Sequence, residues 1–239
     1  MILFNEKYRS DQLEIMDDLD FQGEEMKNLL KDLKVVNKWL GGNNITIDGL
    51  KKLLKNHQKN KSITLLDIGC GDGELLRKCS DFGIKNNFKF KCIGLDFNEN
   101  ILKVAKTKSR DYPNITFKKV DVFLNEELIP NCDIALCTLF LHHYSDEKIE
   151  DLLNTLIKRT RIGVIINDLQ RNRQAFNLFK IVSRLFLKTE TAKHDGLVSI
   201  ARGFKKSELK SISNKIPNQK SYIHWRWAYR FQWILKKDL

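Results

Sequence analysis

The sequence predicts an α/β fold in which a mostly parallel sheet carries helices on both faces. Three observations predict it. From Ile63 onward, short apolar, β-branched runs at 63–68, 89–95, 115–119, 132–137 and 163–168 alternate with helical patterns at 73–80, 98–109 and 146–160. The first run ends in the glycine turn Gly69-Cys70-Gly71-Asp72-Gly73, after which Glu74-Leu75-Leu76 starts a helical pattern. At 239 residues the chain has the length of one large domain with a substantial core.

Taken in order, Met26, Leu29, Leu30, Leu33, Val36 and Leu40 recur at spacings of three and four, which predicts an amphipathic helix over 22–40 closed by Gly41-Gly42. A short helix is expected over 48–56, and the polar run Gln58-Lys59-Asn60-Lys61-Ser62 reads as a hinge before the sheet. Beyond the fifth strand, 174–187 is helical with a broad apolar face, and a polar loop containing Lys193-His194-Asp195-Gly196 is expected before a helix from about Ser207. From Ile223 to Phe231 the residues alternate strictly. That is strand periodicity, long enough for one strand or for two joined near Trp225 to Ala228.

The net charge of +12 is uneven, because residues 158–239 hold nineteen Lys or Arg against five Asp or Glu. A basic C-terminal third suits nucleic acid, an anionic membrane or an acidic substrate, and equally a solvated lysine surface. The five cysteines form no CxxC pair, so buried, reduced thiols are expected. The N-terminus lacks a signal-peptide pattern and no run approaches a membrane span, which gives the expectation of a soluble cytoplasmic protein.

The glycine turn narrows the ligand. A dinucleotide fingerprint needs G-x-G-x-x-G, whereas here the third glycine comes one place early and Glu74 sits in the first helical turn, where a carboxylate repels a pyrophosphate. No Gly-Lys-Ser/Thr follows, which excludes a P-loop. Asp96 ends the second strand, twenty-five residues beyond Gly71, where an acid accepts hydrogen bonds from ribose hydroxyls. Asp121-Val122 follows the third strand, placed to meet an adenine edge.

The run from Leu65 to Gly73, the acid at Asp96, the Asp121-Val122 pair and Cys132-Asp133-Ile134-Ala135-Leu136 together resemble the ordered motifs of class I S-adenosylmethionine-dependent methyltransferases over about 63–170. The resemblance implies a Rossmann-like, doubly wound, seven-stranded sheet with an antiparallel C-terminal strand. It implies S-adenosyl-L-methionine as cofactor and S-adenosyl-L-homocysteine as product. The residues it assigns to the cofactor are Asp67, Gly69, Cys70, Gly71, Asp96, Phe97, Asp121, Val122 and Leu139, with Asp67 near the amino group and Asp96 on the ribose. It divides the chain into an N-terminal helical cap, 1–60, and the methyltransferase domain, 61–239, with a lid insertion at 171–204.

A sulfonium methyl is already activated, so transfer to a hydroxyl needs positioning and a base. Candidate bases sit after the fourth and fifth strands, where the open-sheet rule places ligands. His142 or His143 is the expected base, paired with Asp168, which would fix the tautomer. Asp133, Asn167 and Asp168 mimic the metal ligands of catechol-type enzymes, but Asp133 starts its strand, so no metal is expected. The absence of an Asn/Asp-Pro-Pro-Tyr/Phe run argues against exocyclic base amines.

In the lid, Phe176, Phe179, Val182, Leu185 and Phe186 are expected to wall an acceptor pocket with Asn167, and Arg202 to clamp an acidic group. The stretches Arg9-Ser10-Asp11-Gln12-Leu13-Glu14-Ile15-Met16-Asp17-Asp18, His194 to Phe204 and Trp225 to Gln232 also resemble a bacterial group of small-molecule methyltransferases acting on phenol, polyketide or isoprenoid products. That closer resemblance implies secondary metabolism and directs Arg9 to the cofactor carboxylate. The expected activity is O-methylation of a small aromatic or lipophilic acceptor. C-methylation of a prenylated quinol at a membrane surface, or RNA binding with or without methylation, are the alternatives. The sequence leaves the oligomeric state open.

Overall fold

A computed structural model describes residues 2–18, 20–39, 41–59 and 61–238, with Lys38 and Trp39 described by their backbone alone. Seven strands form one sheet in the order β3-β2-β1-β4-β5-β7-β6. They are β1 (Ser62–Ile68), β2 (Lys89–Asp96), β3 (Ile115–Lys119), β4 (Cys132–Thr138), β5 (Thr160–Leu169), β6 (Gln219–Arg226) and β7 (Arg230–Lys237). The first five run parallel, while β7 pairs antiparallel with both β5 and β6. The strand order reverses direction between β1 and β4, and at their carboxyl ends a crevice opens.

Among the described residues eight α-helices flank the sheet or pack on one another: α1 (Gly23–Trp39), α2 (Gly42–Leu53), α3 (Glu74–Asn86), α4 (Glu99–Lys108), α5 (Asp146–Arg159), α6 (Arg173–Phe186), α7 (Glu190–Arg202) and α8 (Lys206–Asn214). Leu66, Ile68, Ala135, Cys137, Val164 and Ile166 face one core with α5 and α8, and Leu65, Ile134, Leu136 and Ile165 face a second with α2 and α3. Strands buried on both faces are therefore apolar almost without interruption. Helix starts follow their caps: Asn98 accepts from Asn100 and Ile101 N–H, Ser145 from Lys148, and Asn172 from Gln174 and Ala175.

Several elements differ from the sequence reading. The second helix starts at Gly42, six residues before the expected position, because Gly41 in the left-handed region (φ 65°) turns the chain straight into it. Leu40, the last residue of the expected first helix, and Asn60, in the expected hinge, lie outside the described residues. The polar loop around His194 is instead the middle of α7. Its Gly196 lies under the Phe179 ring, where an added Cβ would stand 2.2 Å from a ring carbon. A glycine that reads as a loop breaker is there for close packing. The C-terminal alternation covers two strands, turning at 227–229 with Tyr229 taking φ 53° in place of a glycine. All five cysteines are buried thiols. Among the described residues no helix is long and apolar enough to cross a membrane.

Candidate active site

Asp67 sits at the carboxyl end of β1 and is 2 % exposed, yet no donor among the described residues reaches its carboxylate. Burial first, and Asp96 second, push its pKa well above the ordinary carboxylate range. The following loop takes the left-handed region at Gly69 (φ 66°) and Gly71 (φ 52°). At Gly69 a Cβ would stand 2.3 Å from the Phe140 ring, so only glycine lets the β1 and β4 loops meet here. Gly71 N–H donates to Asp96 Oδ2 (3.0 Å) and Asn98 N–H to Asp96 Oδ1 (2.9 Å), which fixes the acid at the end of β2. After β3, Asp121 accepts from the N–H groups of Phe123 and Leu124.

Two adjoining cavities open along these strand ends. The first, about 120 Å³, is lined by Asp96, Phe97, Asp121, Val122, Leu139 and His143, with Met16, Phe21 and Met26 as its cover. The second, about 150 Å³, includes Asp67, Cys70, Lys34 and Asn43, and both share Gly69, Gly71, Ile101 and Leu139. Every residue expected to hold the cofactor lines this continuous space except Arg9. The space fits an adenosine with an amino-acid tail: an unpaired, buried carboxylate stands at one end for an ammonium group, and Asp96 stands between it and Asp121.

The Leu141-His142-His143 turn after β4 is held from three directions. Asp168 Oδ2, at the end of β5, accepts from Leu141 N–H (3.1 Å) and His142 N–H (3.3 Å). Arg202 donates to the carbonyls of His142 (3.0 Å) and His143 and to Gln12 O (2.7 Å). Arg9 lies over the Phe204 ring at 4.6 Å and donates to His142 O (3.0 Å), Tyr144 O (2.6 Å), Arg202 O (3.0 Å) and Asp146 Oδ1 (2.7 Å). Both guanidiniums, which the sequence reading directed to ligands, are thus engaged by main-chain carbonyls and, for Arg9, by Asp146. Neither Arg9 nor Arg202 lines the two cavities.

The two histidines are not equivalent. His142 is 1 % exposed, with Nδ1 2.7 Å from Asp168 Oδ1 and Nε2 3.3 Å from Glu14 Oε1. Burial works against its charge, but Asp168 and then Glu14 outweigh it and raise the imidazole pKa to about 9. His142 is therefore protonated at neutral pH and walled off from the cavity, a corrected role for the residue expected as base. His143 lines the first cavity, with Nδ1 3.0 Å from Asp17 Oδ2 and Nε2 3.9 Å from Glu14 Oε1.

Three expected acceptor contacts are corrected as well. Asn167 is fully buried and donates to Gly42 O (2.7 Å) and Thr46 Oγ1 (3.3 Å), tying β5 to α2. Phe176 packs on the Phe4 ring (centroids 4.7 Å apart), and Phe179 covers Gly196; neither lines these two cavities. The apolar cover of the site comes instead from Met16 and from Phe21, Met26, Leu29 and Leu30 at the start of the chain. Glu14 and Asp17 were missed because their partners lie 128 and 126 residues away, beyond the reach of any spacing argument.

Residues 65–163 match the family model described as a methyltransferase domain. Together with the fold and the strand-end site, this match supports an S-adenosylmethionine-dependent methyltransferase domain over these residues. No curated protein matches. Among solved structures the chain is similar to magnesium protoporphyrin IX methyltransferase from Synechocystis PCC 6803 with bound S-adenosylhomocysteine (18 % identity, TM-score 0.57, 85 % of this chain and 87 % of that one). It is also similar to the plantazolicin methyltransferase BpumL with the same product bound (13 %, 0.65, 87 % and 90 %) and to the CurJ carbon methyltransferase (12 %, 0.61, 82 % and 54 %).

Proposed function

We propose that the chain transfers a methyl group from S-adenosyl-L-methionine to a hydroxyl of a small aromatic or lipophilic acceptor, with His143 taking the hydroxyl proton. The observation that carries this reading is the position of His143: of the three residues expected to act in catalysis, it is the one that lines the cavity. Asp17 accepts from Nδ1–H, which fixes the tautomer with its lone pair on Nε2, the form a general base needs. The bound cofactor supplies the activated methyl. Asp67 meets its ammonium, Asp96 its ribose, and Asp121 and Val122 its adenine. Met16, Phe21 and Met26 exclude water from the acceptor and suit an apolar ring. Residues 1–60 act as the cap of the site, and the 171–204 insertion holds that cap in place through Arg171, Asp195 and Arg202.

Substitution His143→Ala tests the reading. Turnover of a competent phenol or quinol is expected to fall by about 10² to 10⁴ while S-adenosylhomocysteine affinity is unchanged. Unaltered turnover would exclude His143 as the base.

A second reading, C-methylation of a prenylated quinol at a membrane surface, is favoured by one observation. Leu178, Ile181 and Leu185 of α6 are 46 %, 61 % and 73 % exposed, with Lys180, Arg184 and Lys188 also exposed around them.

A further inference from the structure

Beside the acceptor cavity, Glu14, His142 and His143 bring one carboxylate oxygen and two imidazole nitrogens together within 4.8 Å of one another. From this arrangement we infer a binding site for one divalent transition cation, of which zinc is the best match, with Glu14 Oε1, His142 Nε2 and His143 Nε2 as ligands. Zinc bonds of about 2.0–2.1 Å at tetrahedral angles hold ligand atoms about 3.3 Å apart. His142 Nε2 is already 3.3 Å and His143 Nε2 3.9 Å from Glu14 Oε1.

A second and independent feature is what holds the other nitrogen of each ring. His142 Nδ1 is 2.7 Å from Asp168 Oδ1, and His143 Nδ1 is 3.0 Å from Asp17 Oδ2. A metal-bound histidine characteristically gives its remaining N–H to a carboxylate, which orients the ring and strengthens the ligand; here both rings are so placed. Ser199 Oγ–H donates to Glu14 Oε1 at 2.6 Å and orients the third ligand. Two imidazoles and one carboxylate suit zinc and its neighbours in the first transition row rather than magnesium or calcium, which take oxygen, and binding displaces the proton from His142 Nε2. His143 lines the cavity, while Glu14 and His142 are buried behind it.

The site shares His143 with the proposed methyl transfer, and to that extent its consequence rests on that reading: a cation on Nε2 occupies the lone pair that would take the acceptor's proton. Cation loading and proton abstraction by His143 exclude each other. Cation binding itself does not depend on methyl transfer, and its test needs no acceptor.

Chelator-treated protein is titrated with zinc against a chromogenic zinc indicator, and with cobalt(II) read by visible absorption. One zinc per chain is expected, with cobalt bands of four-coordinate intensity. His143→Ala and Glu14→Gln are each expected to weaken zinc binding at least about tenfold, and Asp17→Asn by about 10- to 100-fold. His224→Ala, on the distant β6, is expected to leave it unchanged. Circular dichroism confirms that each variant is folded. Wild-type protein that takes up no stoichiometric zinc, or binding undiminished in both His143→Ala and Glu14→Gln, would overturn the inference.

Discussion

Asp67 is the residue whose chemistry is least satisfied without a ligand. Its carboxylate is buried, lacks a donor among the described residues, and is held above the usual range by burial and by Asp96. An acid whose pKa is raised on folding adds stability below its unfolded value of about 3.9 and loses it as pH climbs through the folded value. The ligand-free chain is therefore expected to lose stability as pH rises through that window. Affinity for S-adenosylhomocysteine is expected to rise over the same window, because the ammonium group binds the ionised form. Calorimetric titrations across pH check this, and Asp67→Asn is expected to abolish the dependence. His142 makes the opposite case: both its nitrogens are engaged by buried carboxylates. Replacing it by Ala leaves Asp168 and Glu14 uncompensated and is expected to cost about 3–5 kcal/mol in urea denaturation.

At the scale of elements, what was legible in the sequence is what is local. The β1 turn, Asp96 and Asp121 lie within successive strand–helix units, where chain spacing fixes spatial spacing, and these residues line one cavity. The helical insertion was legible as helix at α6 but not at α7, where Asp195 takes the N–H groups of Ile15 and Met16 and Gly196 accommodates Phe179. Both residues read as loop formers because their reason for being there is tertiary. The same holds for Asn167, whose strand-end position pointed to an acceptor while its amide serves α2. The outer face of α6 carries its own prediction. If it meets a membrane, the protein pellets with anionic vesicles at low salt and Leu185→Glu reduces the bound fraction; no pelleting would remove the membrane reading.

Across the whole molecule, one sheet edge and a long N-terminal segment divide the work. The parallel half of the sheet brings Asp67, Asp96 and Asp121 to the cavities at neighbouring strand ends. The acceptor side is assembled from opposite ends of the chain: Arg9 and Glu14 reach the turn after β4, and Arg171 donates to the main chain of Glu6 and Lys7. Contacts of this kind leave no periodic trace, so the sequence reading placed the lining of the lid in α6 without naming Met16, Phe21 and Met26, which line the cavity from the expected N-terminal cap.

The central claim is that the strand-end cavity holds the cofactor through Asp67 and Asp96. The most direct measurement is isothermal titration of S-adenosylhomocysteine into the wild-type chain and into Asp96→Ala. The account predicts saturable one-to-one binding by the wild type, weakened at least about tenfold in the variant by loss of charged hydrogen bonds worth about 1.5–3 kcal/mol. Absence of binding by the wild type, or equal affinity in Asp96→Ala, would contradict it.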